Sequence, residues 1–300
     1  MSLQLKPLHP LFGAEATGID IAKPVDAAAV RAIDAAMDQY AVLVFRGQPL
    51  DQDQQYAFAS SFGKLDSGLK KLSPGAPSRF KHEEMLDISN VKPDGSLHAA
   101  ADRKTISNFA NQLWHSDSSF ERPAGKYSML SSVVVAPKGG QTEYCDLRAA
   151  YDALPDDLKT EIAHLHSVHA ALHTRIWLGD QPSEAELAKM PPVVWPLVRT
   201  HAGSGRKVLW VGMHATHIVE KELSEGRMLL QELLEHATQP QFVYRHEWKV
   251  GDLVIWDNRA TAHRGRRYDL SQRRELRRTT TLDPDSLLDS RYQETQARAA

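Results

Sequence analysis

His115 and Asp117 stand two residues apart in Asn108–Phe120, which reads NFANQLWHSDSSF. On an extended backbone, side chains at i and i+2 leave the chain on the same side, so this imidazole and this carboxylate converge on one point. An extended segment that delivers two polar donors to one place needs neighbouring strands to hold it. That requirement turns the reading toward a sheet-rich fold.

The rest of the sequence agrees. Short apolar runs recur at Ala41–Phe45, Lys126–Val135, Gln141–Asp146, Val193–Thr200, Lys207–Gly212, Phe242–Trp248, Leu253–Trp256 and Arg274–Leu282, punctuated by Gly and Pro turns. Helical spacing appears between them. Val30, Ile33 and Met37 follow an Asp26 N-cap, Asp51 and Gln54 form a capping box, and Leu158, Ile162 and Leu165 share a face after Pro155. Ser224–Ala237 carries an apolar stripe of Leu229, Leu230, Leu233 and Leu234. The expected fold is mainly β with peripheral helices around a double-stranded β-helix, the jelly-roll or cupin-like core. With no internal repeat and no linker, 1–300 reads as a single domain. The pattern dissolves over 64–107 and 170–192, which reads as two lid loops, and 284–300 reads as a polar C-terminal tail.

Composition sets limits on partners. A net charge of -2 gives no bulk attraction to nucleic acid or an acidic membrane, and one cysteine, Cys145, excludes an internal disulfide framework. There is no signal-like N-terminus and no apolar run of membrane-spanning length. The expectation is a cytoplasmic protein with no nucleic-acid or membrane partner.

A third donor completes the convergence. His263, in GDLVIWDNRATAHRGRRYD, follows a predicted strand and turn. Two histidines and one carboxylate make a facial triad that leaves positions of ferrous iron open. With 14 histidines in the chain, an H-x-D pair also arises by chance. Zinc accepts the same ligands, so a zinc hydrolase stays open, as does a metal-free jelly-roll binding protein. Arg274 and Arg278, four apart on one strand face and about 13 Å from each other at strand rise, are guanidinium forks suited to two anions. The plain alternative is a solvated basic edge strand. His164, His166, His169 and His173 read as an exposed helix face, His214 and His217 as structural, and Trp114 and Trp256 as core.

H-x-D, the distal histidine and an arginine eleven residues beyond it together resemble an iron(II)/2-oxoglutarate-dependent dioxygenase. PLHPLF, VLVFRGQPL, NFANQLWHSDSSF, RAAYDALP, WPLVRTHAGSGRK, LLQELLEHAT, GDLVIWDNR and RRELRRTTTLD, in that order, resemble the taurine/phenoxyacetate dioxygenase family from about Leu5 to Asp283. The resemblance implies metal ligands His115, Asp117 and His263, with Thr142 and Arg274 holding the distal carboxylate of 2-oxoglutarate. It implies substrate contacts at Arg278, Asn111 and His201. Iron(II), 2-oxoglutarate and O₂ are the implied cofactor and co-substrates, with ascorbate supporting activity. The implied reaction hydroxylates the carbon next to the ether oxygen of aryloxyacetates such as 2,4-dichlorophenoxyacetate, giving a phenol and glyoxylate with succinate and CO₂. Another small aryl or alkyl carboxylate, a cinnamate-like acid or a sulfonate would undergo the same chemistry. Where the sulfonate-using branch places a histidine and a tyrosine, this chain has Ser67-Gly68-Leu69-Lys70-Lys71. That departure argues against taurine and leaves Lys71 as an anion partner. Ser96 stands near a position where the phenoxyacetate branch carries lysine. A small anionic substrate and a homo-oligomer are the expected partners.

Overall fold

The computed structural model describes residues 2–72, 75, 77–99 and 102–287. Its centre is the run Val42–Phe45, buried at all four positions. This strand pairs antiparallel with Leu253–Asp257, which pairs on its other edge with Ala124–Val134. The full sheet has seven strands in the order Gln4–Pro7, Ala14–Thr17, Val42–Phe45, Leu253–Asp257, Ala124–Val134, Glu275–Asp283 and Leu86–Ser89.

Strand alternation divides this sheet between two cores. Leu43, Phe45, Met129, Leu253 and Ile255 pack with Ile33 and Met37 of the helix Ala27–Tyr40 and with Phe58 of the helix Gln52–Ser60. The alternate residues Val42, Val44, Leu130, Val254 and Trp256 pack with Tyr144 of a smaller sheet. That sheet has the order Val243–His246, Thr142–Asp146, Thr261–Gly265. The result is two sheets face to face with helices outside, in keeping with the jelly-roll expectation. Both helices start as their sequences dictate: Asp26 Oδ1 accepts from the Ala29 N–H at 2.7 Å, and Asp51 with Gln54 closes a capping box. The helix Leu223–Ala237 buries its four predicted leucines against a third apolar cluster containing Trp195 and Trp210.

Several elements differ from the sequence reading. Segment 64–107 contains a 3₁₀ turn at Gly68–Leu72, the strand Leu86–Ser89 and the helix Arg103–Ala110. The strand is four residues long and is defined by pairing with Glu275–Arg278, which local sequence does not reveal. Segment 170–192 holds two short helices, His173–Trp177 and Glu184–Lys189, the second opened by a Ser183/Glu186 capping box. His166–His169 is a strand, and His169 is buried instead of decorating a helix. The tail begins with a 3₁₀ turn at Pro284–Leu287, and the remainder lies outside the described residues. Among the described residues, no helix is long and apolar enough to cross a membrane.

Candidate active site

The segment Asn111–Asp117 leaves the helix Arg103–Ala110 and runs beside the strand Thr261–Gly265. Gly265 donates its N–H to the Asn111 carbonyl at 2.7 Å, and His115 and His263 exchange both backbone hydrogen bonds, at 3.0 and 2.8 Å. This rung brings the two imidazoles together, with ring centroids 4.3 Å apart. The Nε2 atoms of His115 and His263 lie 3.8 and 3.9 Å from the two carboxylate oxygens of Asp117. All three side chains are buried, and their donor atoms lie within 4.8 Å of one another.

Surrounding groups orient the donors. His115 Nδ1 sits 2.7 Å from the Leu113 carbonyl, which places the ring hydrogen there and leaves the Nε2 lone pair facing Asp117. Asp117 Oδ2 accepts from Ser128 Oγ at 2.7 Å, and Oδ1 accepts from the Arg278 guanidinium at 2.5 Å. Asn258 braces both, accepting the Asp117 N–H at 3.0 Å and donating to Ser128 Oγ at 3.0 Å. Burial lowers the pKa of both histidines and thereby keeps them neutral. Burial would raise the Asp117 carboxyl, but Arg278, followed by the two histidines, outweighs it and holds the group down at about 2. Two neutral imidazoles and one ionised carboxylate, with their open side on a cavity, fit a divalent metal that takes nitrogen and oxygen ligands.

Two cavities meet here. The larger, about 390 Å³, is walled by His115, Asp117 and Arg278. The smaller, about 60 Å³, reaches from His263 to Thr142 and Arg274. Asn111 and Arg278 border both. Arg274 is 8% exposed, donates to the Gly140 carbonyl at 3.1 Å, and has no ion-paired carboxylate among the described residues. Gly140, at φ +72°, passes so near that a Cβ would lie 3.1 Å from Arg274 Nε. Thr142 Oγ1 accepts from Trp248 Nε1 at 3.0 Å and keeps its own hydrogen to donate. A buried guanidinium without a counter-charge, beside a hydroxyl donor, suits a carboxylate ligand.

Other sequence candidates lie elsewhere. His201 is buried with both ring nitrogens taken, by Ser204 at 2.9 Å and Asp257 at 3.0 Å, and it borders neither cavity. The correction has a structural cause: its turn packs behind the smaller sheet's partner Asp257, away from the triad. Lys71 also departs from expectation, because its ammonium binds Asp66 at 2.7 Å and Glu121 at 2.6 Å, and its neighbour Lys70 lines the cavity instead. His214, read as structural, borders the large cavity edge-on to His115 at 5.7 Å. Ser128, Asn258, Lys104 and Arg175 also escaped the sequence reading. Asn258 alone carried a signal, as part of WDNR.

A family model described as "Taurine catabolism dioxygenase TauD, TfdA family" matches residues 4–280. The chain belongs to this family. Among curated relatives in the TauD, TfdA family, the chain is 61% identical over 284 residues to an alpha-ketoglutarate-dependent 2,4-dichlorophenoxyacetate dioxygenase of Cupriavidus pinatubonensis, covering 94% of this chain and 99% of that protein. It is 60% identical to the protein of that name from a Burkholderia species, covering 94% and 95%. Among solved structures it resembles AAD-2 in complex with Mn(II) and N-oxalylglycine, with a TM-score of 0.86, 43% identity, and coverage of 94% and 97%. The chain is therefore an oxidoreductase of the dioxygenase type with the fold of the TauD, TfdA family.

Proposed function

We propose that this dioxygenase uses iron(II) and 2-oxoglutarate to hydroxylate the carbon next to the ether oxygen of aryloxyacetates such as 2,4-dichlorophenoxyacetate. His115, Asp117 and His263 hold the metal, and Arg274 with Thr142 holds the distal carboxylate of 2-oxoglutarate. One observation carries this reading: the buried guanidinium of Arg274, lacking a carboxylate partner and closing the small cavity that begins at His263. A zinc hydrolase would use the same three ligands but has no need of that anion socket. The 60–61% identity to the 2,4-dichlorophenoxyacetate enzymes supports the substrate class.

Bound iron(II) with 2-oxoglutarate and O₂ supplies the oxidant for C–H hydroxylation, releasing succinate and CO₂. The chain supplies position. Arg278 and Asn111 turn the acid end of the substrate so that its methylene faces the metal ligands. Buried Trp256 beside His263 and Phe120 beside His214 keep the surroundings apolar. The hydroxylated product is a hemiacetal that collapses to a phenol and glyoxylate. Segments 64–107 and 170–192 cover the cavity as parts of one dioxygenase unit, which acts in the cytoplasm as a homo-oligomer on a small anionic substrate. The test is O₂-dependent formation of succinate and glyoxylate from phenoxyacetate with iron(II), 2-oxoglutarate and ascorbate. Turnover without 2-oxoglutarate would overturn the reading.

A further inference from the structure

Five Lys and Arg side chains border the large cavity: Lys70, Arg79, Lys104, Arg175 and Arg278. Three of them have acidic company. Arg79 pairs with Asp87 at 2.9 Å and Glu275 at 2.7 Å, Arg278 pairs with Asp117, and Lys70 lies in the field of Glu83, Asp87 and Glu84. Lys104 and Arg175 have no ion-paired carboxylate among the described residues. The Lys104 ammonium donates to the Asp87 backbone carbonyl at 2.6 Å, and Arg175 Nε donates to Ser107 Oγ at 3.1 Å. Their helices, Arg103–Ala110 and His173–Trp177, pack together, so the two cations share one wall.

Two like charges withdrawn from water repel each other and lack compensation, an arrangement that persists most readily where an anion joins them. Arg278 cannot supply the full attraction, since Asp117 already neutralises it. We propose that Lys104 and Arg175 form the charge-carrying half of the site for the substrate carboxylate, completing an anchor to which Arg278 adds orientation. This deepens, and rests on, the reading of the chain as an enzyme acting on aryl carboxylates. The preferred class is a monoanionic aryl acid, and neutral esters and amides of the same shape bind poorly.

The test uses full-length protein loaded with Mn(II) and N-oxalylglycine and titrated by tryptophan fluorescence. Phenoxyacetate, cinnamate and benzenesulfonate are each compared with the corresponding neutral amide. Wild type binds its preferred acid at least about tenfold more tightly than the amide. Arg175→Gln and Lys104→Met bring that ratio toward one with amide binding unchanged, while Arg175→Lys and Lys104→Arg restore part of it. In turnover, the two neutralising variants raise KM for the acid and leave KM for 2-oxoglutarate as it was. Retention of the acid preference in both variants overturns the anchor, as does equal weakening of acid and amide. A preference shown for cinnamate alone and lost in Arg175→Gln supports the anchor while overturning the aryloxyacetate reading.

Discussion

His115 and His263, from distant parts of the chain, donate their backbone N–H groups to each other's carbonyls across an isolated antiparallel bridge. The metal-facing geometry is thus set by main-chain pairing before any side-chain rotamer is chosen. Side chains on facing rungs of such a bridge lie on one side of it, and both imidazoles meet the Asp117 carboxylate there. Mutations that leave the bridge intact therefore dissect the site without dismantling it.

Ser128→Ala removes the hydroxyl that Asp117 Oδ2 accepts at 2.7 Å. Loss of such a group behind a metal ligand weakens metal binding or activity by about 10–100-fold. Manganese titration followed by electron paramagnetic resonance should show this weakening with thermal stability nearly unchanged. Wild-type affinity would sink the idea.

Arg274→Gln leaves the socket without its charge. KM for 2-oxoglutarate should rise at least about 30-fold, corresponding to 2 kcal/mol or more for a buried charge pair. KM for the aryl acid should barely move. Steady-state kinetics with each substrate varied in turn checks the split.

Arg278→Ala should do the reverse for KM, affecting phenoxyacetate far more than 2-oxoglutarate. It should also weaken metal binding, because Asp117 Oδ1 loses its partner. Arg175→Gln shares the first effect without the second. Equal effects of Arg274→Ala and Arg278→Ala on both substrates would break the assignment.

Glu121 provides a pH prediction. Burial, reinforced by Asp66, raises its carboxyl from the ordinary 4.5 to about 7, and the Lys71 ammonium offsets this only in part. Between those values the folded chain holds a proton that the unfolded chain has released, so this group's contribution to stability falls as pH rises through the window. Glu121→Gln should flatten the dependence of Tm on pH from 4.5 to 7. A slope steeper than wild type would contradict the sign.

His201→Gln tests the relocation of His201. Its contacts with Asp257 and Ser204 are structural and buried, so stability should drop by about 1–3 kcal/mol. KM for the aryl acid should stay within twofold of wild type. A large KM change at unchanged Tm would return His201 to the substrate site.

Sequence alone determined what depends on near neighbours. Asp26 and the Asp51/Gln54 box announced their helices, the run Val42–Phe45 announced a buried strand, and His115-x-Asp117 announced two donors on one face, because capping and strand alternation act over two to four residues. Tertiary structure decided the rest. Whether His201 or Lys71 reached the substrate depended on which carboxylates folded beside them, and Asp257, Asp66 and Glu121 took both. Lys104 and Arg175 became notable only once two helices packed together and left them facing a cavity without acids. Charge compensation is a property of three-dimensional neighbourhoods, and no spacing rule along the chain encodes it.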